Sequence, residues 1–228
     1  MSVASPYAEW LESDALGGFA SGTVCGERTR RYHALLLVAT TPPTGRMVLV
    51  NGVDAFLTTP AGRFALSSQR YTPDVVYPDG ASRIDAFLSE PWPAWMFTLP
   101  DGTRIQHEIF IAHRRPLTLL TWRLLSRASG VSLAVRPLMS GRNYHSLHHE
   151  TAAFRFDANR ERHIVSWFRM TASPRSARSQ TATTARSPTG IGISSTGPNR
   201  IAVSMPSRIS PALERSVSIS QLTRRSSR

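Results

Sequence analysis

The stretch EWLESDALGGFASGTVCGERTRRYHALLLVA, residues Glu9–Ala39, places a glycine-rich turn before a polar cluster and a strongly apolar run. Gly17, Gly18 and Gly22 permit a tight backbone path, or a close approach of another surface, that larger residues would obstruct. The apolar run Leu35–Val38 predicts a buried strand. The polar residues in front of it are Arg28, Arg30, Arg31, Tyr32 and His33. A polar cluster at the mouth of a rigid strand is a candidate binding site.

Between residues 35 and 137 the chain alternates short apolar runs with turn signals. The turn signals are Pro42–Gly45, Asn51-Gly52, Pro60–Gly62, Pro78–Gly80 and Pro100–Gly102. Asn51-Gly52 predicts a hairpin, because both central positions of its turn type favour φ > 0. The expected strands are Met47–Val50, Val53–Thr58, Arg63–Ser67, Met96–Leu99, Thr103–Ala112, Leu117–Leu125 and Val131–Pro137. Since no window has helical periodicity, the pattern predicts an all-β fold, a large antiparallel β-sandwich.

The composition is that of a globular chain. Its 228 residues with 41% hydrophobic content suit one or two domains. The longest apolar run, Ala34–Ala39, is far shorter than the roughly 20 residues of a membrane span, and no signal-peptide core precedes it. We therefore expect a cytoplasmic protein that does not enter a membrane. The single Cys25 forms no internal disulfide, and no Cys/His spacing fits zinc, so we expect no cofactor and no metal. His148, His149 and Glu150 do not suggest a metal site, because neighbouring strand residues face opposite sides.

The positive charge is concentrated near the C-terminus. Of the net charge of +12, residues 1–169 carry +4 and residues 170–228 carry +8. From Met170 onward the chain has no aromatic residue and 14 serines. Such a segment has too little apolar surface to offset the entropy of ordering. We therefore expect residues 1–168 to form an incomplete β-sandwich domain and residues 169–228 to be a disordered Ser/Arg-rich tail.

Several segments resemble the N-terminal domain of bacterial and archaeal glycogen debranching enzymes, the amylo-α-1,6-glucosidase family. The matching positions in the opening stretch are Trp10, Leu11, Leu16–Val24, Gly26 and Thr29–His33. Further matches follow in the same order at Pro43–Arg46, Ser89–Trp95, Glu108–His113, Leu133–Leu138 and Gly141–Leu147. The resemblance therefore reaches about Trp167.

The resemblance implies a supersandwich-like N-terminal domain that precedes a helical (α/α) barrel with the catalytic carboxylates. The barrel is not in this chain, so we expect no activity from the chain alone. Hydrolysis of an α-1,6 branch generally needs two carboxylates flanking the bond. No motif marks such a pair among Asp14, Asp54, Asp85 and Glu108. The implied partners are glycogen, or another branched α-glucan, and the catalytic barrel.

Aromatic rings and fixed hydrogen-bonding groups are what sugar recognition requires. Two groups of residues offer them, Trp10 with Arg30, Arg31, Tyr32 and His33, and Arg142 with Tyr144 and His145. We interpret these as two similar Arg-Tyr-His clusters that converge on a substrate-binding surface. The alternative is that Tyr32 and His33 alternate across a strand, one in the core and one satisfied by a backbone carbonyl, with the arginines facing the barrel.

Trp92 and Trp95 allow two interpretations. In Glu90–Trp95 they could form a stacking platform for glucan on a loop. We favour packing at an edge of the sandwich, because tryptophan is highly buried on average.

The tail has a second interpretation besides disorder. When its codons are read one base earlier, Arg169–Pro211 can decode as a segment similar to the continuation of the family. We hypothesise a net loss of one base near residues 167–170. The chain would then be a truncated product that exposes unpaired sheet edges, which favour aggregation.

Two other functions compete with a glucan-binding domain. The Arg-rich tail could give salt-dependent affinity for nucleic acid, although we do not expect nucleic acid to be the partner. The domain could also be purely structural, with no contact to sugar.

Overall fold

The computed structural model describes residues 5–127 and 129–147 in full, and the backbone of four further strands between residues 158 and 204. Regular structure in these parts is strand, apart from the short 3-10 helix Ala81–Arg83. All pairings between the described strands are antiparallel. The predicted all-β antiparallel fold is confirmed. No helix in the described part of the chain is long and apolar enough to cross a membrane.

The first sheet is built around one long strand. Its strands are β1 (Glu9–Ser13), β2 (Phe19–Thr23), β3 (Ala34–Thr41), β4 (Thr44–Thr59), β5 (Gly62–Ala65) and β12 (Ser132–Asn143). Their order is β1-β2-β3-β4-β12, and β5 also pairs with β4. Strand β4 is 16 residues long and therefore holds β3, β5 and β12 together.

The second sheet contains eight strands in the part of the chain that is described. They are β8 (Ile84–Leu88), β9 (Ala94–Thr98), β10 (Arg104–Ile111), β11 (Leu117–Leu124), β13 (Ala158–Glu161), β14 (Ile164–Phe168), β15 (Gly190–Gly197) and β16 (Arg200–Ser204). Their order is β13-β14-β15-β16-β11-β10-β9-β8. A small separate hairpin joins β6 (Arg70–Tyr71) to β7 (Val75–Val76).

The main core lies between the two sheets. The first sheet contributes Trp10, Leu36, Leu49 and Leu57, and the second contributes Trp95, Ile105, Leu120 and Trp122. Burial of one such large side chain stabilises the fold by roughly 1.5–3 kcal/mol. Because one cluster draws on both sheets, the sheets pack face to face as a sandwich.

Most of the expected turns form. The chain reverses between β3 and β4 at Pro42-Pro43, between β4 and β5 at Pro60-Ala61, and between β9 and β10 near Pro100–Gly102. The segment Pro78–Gly80 leads into the 3-10 helix instead of joining two paired strands.

The prediction of a hairpin at Asn51-Gly52 is wrong, because strand β4 continues through both residues without a break. Opposite this point, Leu138 of β12 pairs with Gly52 and Met139 pairs with Val50. Asn51 is thus an extra residue in a β-bulge, and pairing with β12 on both sides of it keeps the strand continuous. A Cβ on Gly52 would lie 2.8 Å from Nη1 of Arg28. The Asn-Gly dipeptide therefore makes a bulge and leaves room for an arginine.

Two strands lie in the segment where the sequence predicts disorder. Strand β16 pairs with Leu117–Thr121 of β11, and β15 pairs with both β14 and β16. The remaining tail, residues 169–189, 198–199 and 205–228, lies outside the described residues, as does His148–Glu150. Disorder there stays a prediction.

Candidate functional site

The two Arg-Tyr-His clusters meet on one surface. Nη1 of Arg31 donates a hydrogen bond to the carbonyl oxygen of His145 at 2.8 Å. The hydroxyl of Tyr32 lies 3.3 Å from Nδ1 of His145. Segments more than 110 residues apart in sequence are thereby joined. We call Arg31, Tyr32, Arg142, Tyr144 and His145 the Arg-Tyr-His surface.

Arg142 holds the two segments of this surface together. Its guanidinium donates to the carbonyl oxygens of Tyr144 at 3.3 Å and Ser146 at 3.0 Å, and also to that of Arg31. The residue is 9% exposed. Burial lowers the pKa of Arg142, and the nearby Arg31 cation lowers it further. Arg142 is therefore a positioning residue for Tyr144 and His145, whereas Arg31 presents its guanidinium to solvent.

The aromatic rings of the surface lie close to one another. The centroids of Tyr32 and Tyr144 are 5.6 Å apart, and those of Tyr144 and His145 are 3.8 Å apart. Both tyrosines are half-buried, and His145 is exposed. The rings therefore offer a partly exposed aromatic surface edged by hydrogen-bonding groups.

The Arg-Tyr-His surface lies on the outer face of the first sheet. Tyr144 packs against a small cluster of Ala34, Leu37 and Val48. Leu36 and Val38 belong to the main core. Since successive strand residues face opposite sides, Leu37 and the tyrosine on it point away from that core.

Three other candidate residues do not join the surface. Trp10 is 8% exposed in the main core, where its ring packs against Trp95 at 5.6 Å. His33 is 3% exposed, and its Nδ1 accepts a hydrogen bond from the backbone amide of Thr29 at 3.2 Å. Arg30 is exposed and forms an ion pair with Glu9.

The structure settles how Tyr32 and His33 are arranged. They lie in the turn before β3 and not on a strand, so the alternative of strand alternation does not describe them. His33 is nevertheless the buried member of the pair. Burial lowers the pKa of His33, and the nearby Glu9 carboxylate opposes that effect.

The glycine-rich turn, residues 14–18, joins β1 to β2. The carboxylate of Asp14 accepts hydrogen bonds from the amides of Leu16 at 2.7 Å and Gly18 at 2.8 Å. Gly17 has φ +97, and a Cβ there would lie 2.6 Å from the carbonyl oxygen of Pro43. The expected close approach of another surface is thus present, and Pro43 provides it.

The remaining three carboxylates named from the sequence also have contacts within the domain. Asp54 pairs with Arg136, and Asp85 accepts from the hydroxyl of Thr98. Glu108 accepts from the hydroxyl of Thr121 at 2.9 Å. Among the residues that the structure describes, no three His, Cys, Asp or Glu side chains lie together in a way that could hold a metal ion.

The two tryptophans of Glu90–Trp95 have different surroundings. Trp95 is 5% exposed and packs in the main core. Trp92 is 38% exposed and packs on Phe110, with centroids 5.5 Å apart. These two rings do not share a stacking platform, which agrees with the packing interpretation.

Arg46 also contributes to the Arg-Tyr-His surface, and the sequence does not predict this. The guanidinium of Arg46 lies over the ring of Tyr144 at 5.7 Å, and its carbonyl oxygen accepts from the Tyr144 amide at 3.3 Å. Arg46 lies in the segment Pro43–Arg46 that resembles the family, but its place beside Tyr144 depends on the pairing of β4 with β12. That long-range pairing has no local signal.

A family model that matches most of the chain shows which family the chain belongs to. The family model described as glycogen debranching enzyme N terminal matches residues 8–194. The chain belongs to this family. The match continues beyond Trp167, where the resemblance was expected to end. No curated protein and no solved structure gives a significant match. Family membership supports an N-terminal domain of a glycogen debranching enzyme, and it assigns no role to individual residues of the surface.

Proposed function

We propose that this chain is a non-catalytic domain that binds branched α-glucan through the Arg-Tyr-His surface and docks beside the catalytic barrel of a debranching enzyme. The observation that carries the proposal is the convergence of Arg31, Tyr32, Tyr144 and His145 on the outer face of the first sheet. The family match gives this surface its context, since the parent enzyme acts on a glucan.

The chemistry of the surface suits an uncharged sugar chain. The apolar C–H face of a glucose ring packs on a tyrosine ring, and the exposed groups of Arg31 and His145 offer hydrogen bonds to hydroxyls. Glucan carries no charge, so its binding should change little with salt. Binding to nucleic acid releases counterions and weakens steeply as salt rises. Salt dependence therefore separates the proposal from the nucleic-acid alternative.

The proposal is tested by electrophoresis of the full chain through native gels containing glycogen. We expect glycogen to retard the chain, and Tyr32→Ala and His145→Ala each to weaken the apparent affinity by about 3–10-fold, because each removes one contact of about 1 kcal/mol. Tyr77→Ala is the matched control, since Tyr77 is 66% exposed and lies outside the surface.

Three results would count against glucan binding at this surface. The first is that glycogen does not retard the full chain. The second is that glycogen retards Tyr32→Ala as strongly as the wild type. The third is that Tyr32→Ala and Tyr77→Ala lose the same affinity for glycogen. The first of these would favour the purely structural domain. A parallel gel with duplex DNA at low and high salt measures the alternative partner directly.

The truncated-product hypothesis is part of the same proposal. We infer a net loss of one base near residues 167–170, because the shifted frame decodes as a family-like continuation. The family model also matches residues 170–194 in the frame as given, which counts against this inference. Sequencing of the locus should find the missing base, and it tests whether a barrel is encoded downstream in the restored frame. An intact frame through Met170 refutes it.

A further inference from the structure

A cavity of about 90 Å³ lies between the two sheets, away from the Arg-Tyr-His surface. Its floor is apolar and mostly aromatic, with Trp10, Leu35, Trp95, Phe97, Ile109 and Trp122 among the lining residues. A single water needs only about 10–15 Å³ of such space, so the cavity has room for a larger molecule. In another protein an apolar cavity of about 150 Å³ takes benzene, so this smaller cavity suits a single small ring.

His107 also lines this cavity, and one of its ring nitrogens lacks a partner. The carbonyl oxygen of Thr121 can only accept, so Nδ1 of His107, at 2.9 Å, carries the ring proton and donates to it. Nε2 is therefore an unprotonated acceptor, and among residues 5–127 and 129–147 no group donates a hydrogen bond to it. Because burial lowers the pKa of His107 to about 4, the ring is neutral at pH 7. The cavity thus offers a free acceptor to a ligand.

Nε2 of His107 faces the space between the sheets. Ile105 and Ile109 belong to the main core, and His107 lies between them on β10, so its side chain extends to the same side of the strand. Nε2 is at the far end of the imidazole from the backbone. The residue is 8% exposed, and since Nε2 is unpaired but not fully enclosed, a molecule in the cavity can reach it. The unpaired Nε1 of Trp122, in contrast, is fully enclosed and out of reach.

The imidazole of His107 is held in one orientation. Its ring stacks on Trp122 with centroids 4.4 Å apart and planes 10° apart, and on Trp95 with centroids 5.5 Å apart and planes 24° apart. The hydrogen bond to Thr121 fixes which nitrogen faces the cavity. The acceptor is therefore preorganised, so binding a ligand does not require the ring to be ordered first.

The charges around the cavity favour a neutral ligand. Arg28 is the charged side chain of its lining, and Nη1 of Arg28 donates to Oε1 of Gln69 at 2.5 Å. Burial lowers the pKa of Arg28, and the nearby Asp54 carboxylate opposes that effect. Arg28 therefore already has a counter-charge and an acceptor, and a ligand needs no charge to complete it.

Water does not suit the apolar floor. Buried waters generally make about three hydrogen bonds, and a water at Nε2 of His107 would face aromatic and aliphatic side chains on its other sides. A ring with one donor and an otherwise apolar body satisfies Nε2 and leaves no polar group of its own unpaired.

We propose that this cavity binds a small, flat, neutral ring that carries one N–H or O–H donor. The donor bonds Nε2 of His107, and the carbons of the ring pack against the side chains of Trp10, Leu35 and Phe97. A sugar does not fit this description, because its several hydroxyls need more polar partners than the floor provides. The site is separate from the glucan proposal and does not depend on it.

The test uses two matched probes, pyrrole and furan, on the full chain with ¹⁵N-labelled histidine at pH 7. Both are neutral five-membered rings of the same shape, but pyrrole has an N–H donor where furan has an oxygen. The ¹⁵N chemical shift of Nε2 reports a hydrogen bond to that atom, and His107→Phe assigns the signal. We expect pyrrole to shift the Nε2 signal of His107 saturably. Furan should bind about fivefold to tenfold more weakly and leave Nε2 nearly unshifted, because it lacks the hydrogen bond.

A variant of the acceptor completes the experiment, with saturation transfer from the protein to the probe protons as the measure of binding. His107→Phe keeps a ring between Trp95 and Trp122 and removes the acceptor, so pyrrole and furan should bind it equally. His113→Phe is the control, because His113 is exposed, and it should keep the preference for pyrrole.

Three outcomes overturn the proposal. The first is that the Nε2 signal of His107 does not move at millimolar pyrrole, and the second is that furan binds as well as pyrrole. The third is that His107→Phe keeps the preference for pyrrole. Should His107→Phe not fold, the comparison of pyrrole with furan on the unaltered chain still decides.

Discussion

The glycine-rich turn can adopt its shape because Gly17 has no side chain. Gly17 has φ +97, and a Cβ there would lie 2.6 Å from the Pro43 carbonyl oxygen. We predict that Gly17→Ala lowers the free energy of unfolding by about 3 kcal/mol or more. About 1–2 kcal/mol comes from the left-handed backbone and the rest from the displacement of Pro43. Urea unfolding of the variant and the wild type measures the difference.

Gly102 provides the matched control for this prediction. Its φ is +79, but a Cβ there would meet no atom within 4 Å. Gly102→Ala should therefore show the backbone cost alone, about 1 kcal/mol. Equal losses for the two variants would mean that Pro43 does not crowd Gly17.

His107 should make the domain sensitive to acid. Burial lowers the pKa of His107 to about 4, from an ordinary value of 6.5. Above pH 6.5 the residue is neutral in both states. As the pH falls from 6.5 to 4, the unfolded state takes up a proton that the folded state refuses, so stability is lost in that window. The largest loss is about 3 kcal/mol.

The measurement is urea unfolding at pH 7 and at pH 4.5. His107→Phe retains a ring between Trp95 and Trp122, so it should lose less stability than the wild type over this interval. The exposed His113→Phe controls for the loss of one histidine. If His107→Phe loses as much stability between pH 7 and pH 4.5 as the wild type does, His107 is not the cause of the acid sensitivity.

Single residues also show where prediction from sequence reached its limit. The residue types of the Arg-Tyr-His surface were predictable, because arginine, tyrosine and histidine together suit polar recognition. The side of β1 that faces the core was not, because Leu11 is apolar but exposed while its neighbour Trp10 is buried. Which face of such a short strand meets the core is decided by its pairing with β2 and not by its own sequence.

At the scale of elements, turn chemistry predicted some reversals and failed at one. Pro42-Pro43 and Pro60-Ala61 end their strands where proline removes a ladder hydrogen bond. Asn51-Gly52 has no such blocked donor, so β12 could pair through it and turn a hairpin signal into a bulge. A dipeptide that favours φ > 0 permits a turn, but the partner strand decides whether one forms.

The strand order of the second sheet follows from long-range pairing that the tail sequence did not reveal. Strands β15 and β16 lie between β14 and β11 in the sheet. The β15 segment is rich in glycine and serine, whereas the β16 segment RIAVS contains three apolar residues. The prediction of disorder depended on the tail as a whole, which has no aromatic residue and 14 serines. In the sheet, however, backbone hydrogen bonds provide the pairing, and these require no particular side chain.

This strand order predicts unequal effects of two truncations. Ending the chain after Ser204 retains β15 and β16, whereas ending it after Phe168 removes both and leaves β11 with an unpaired edge. We expect the shorter chain to unfold at lower urea and to self-associate, because an open strand edge pairs with other chains. Urea unfolding and light scattering at several protein concentrations measure both effects. If residues 169–228 are disordered throughout, the two truncated chains should instead match the full chain in stability and association. Amide exchange at Leu117–Thr121 separates the two cases, since these residues pair with β16 and should lose protection in the shorter chain.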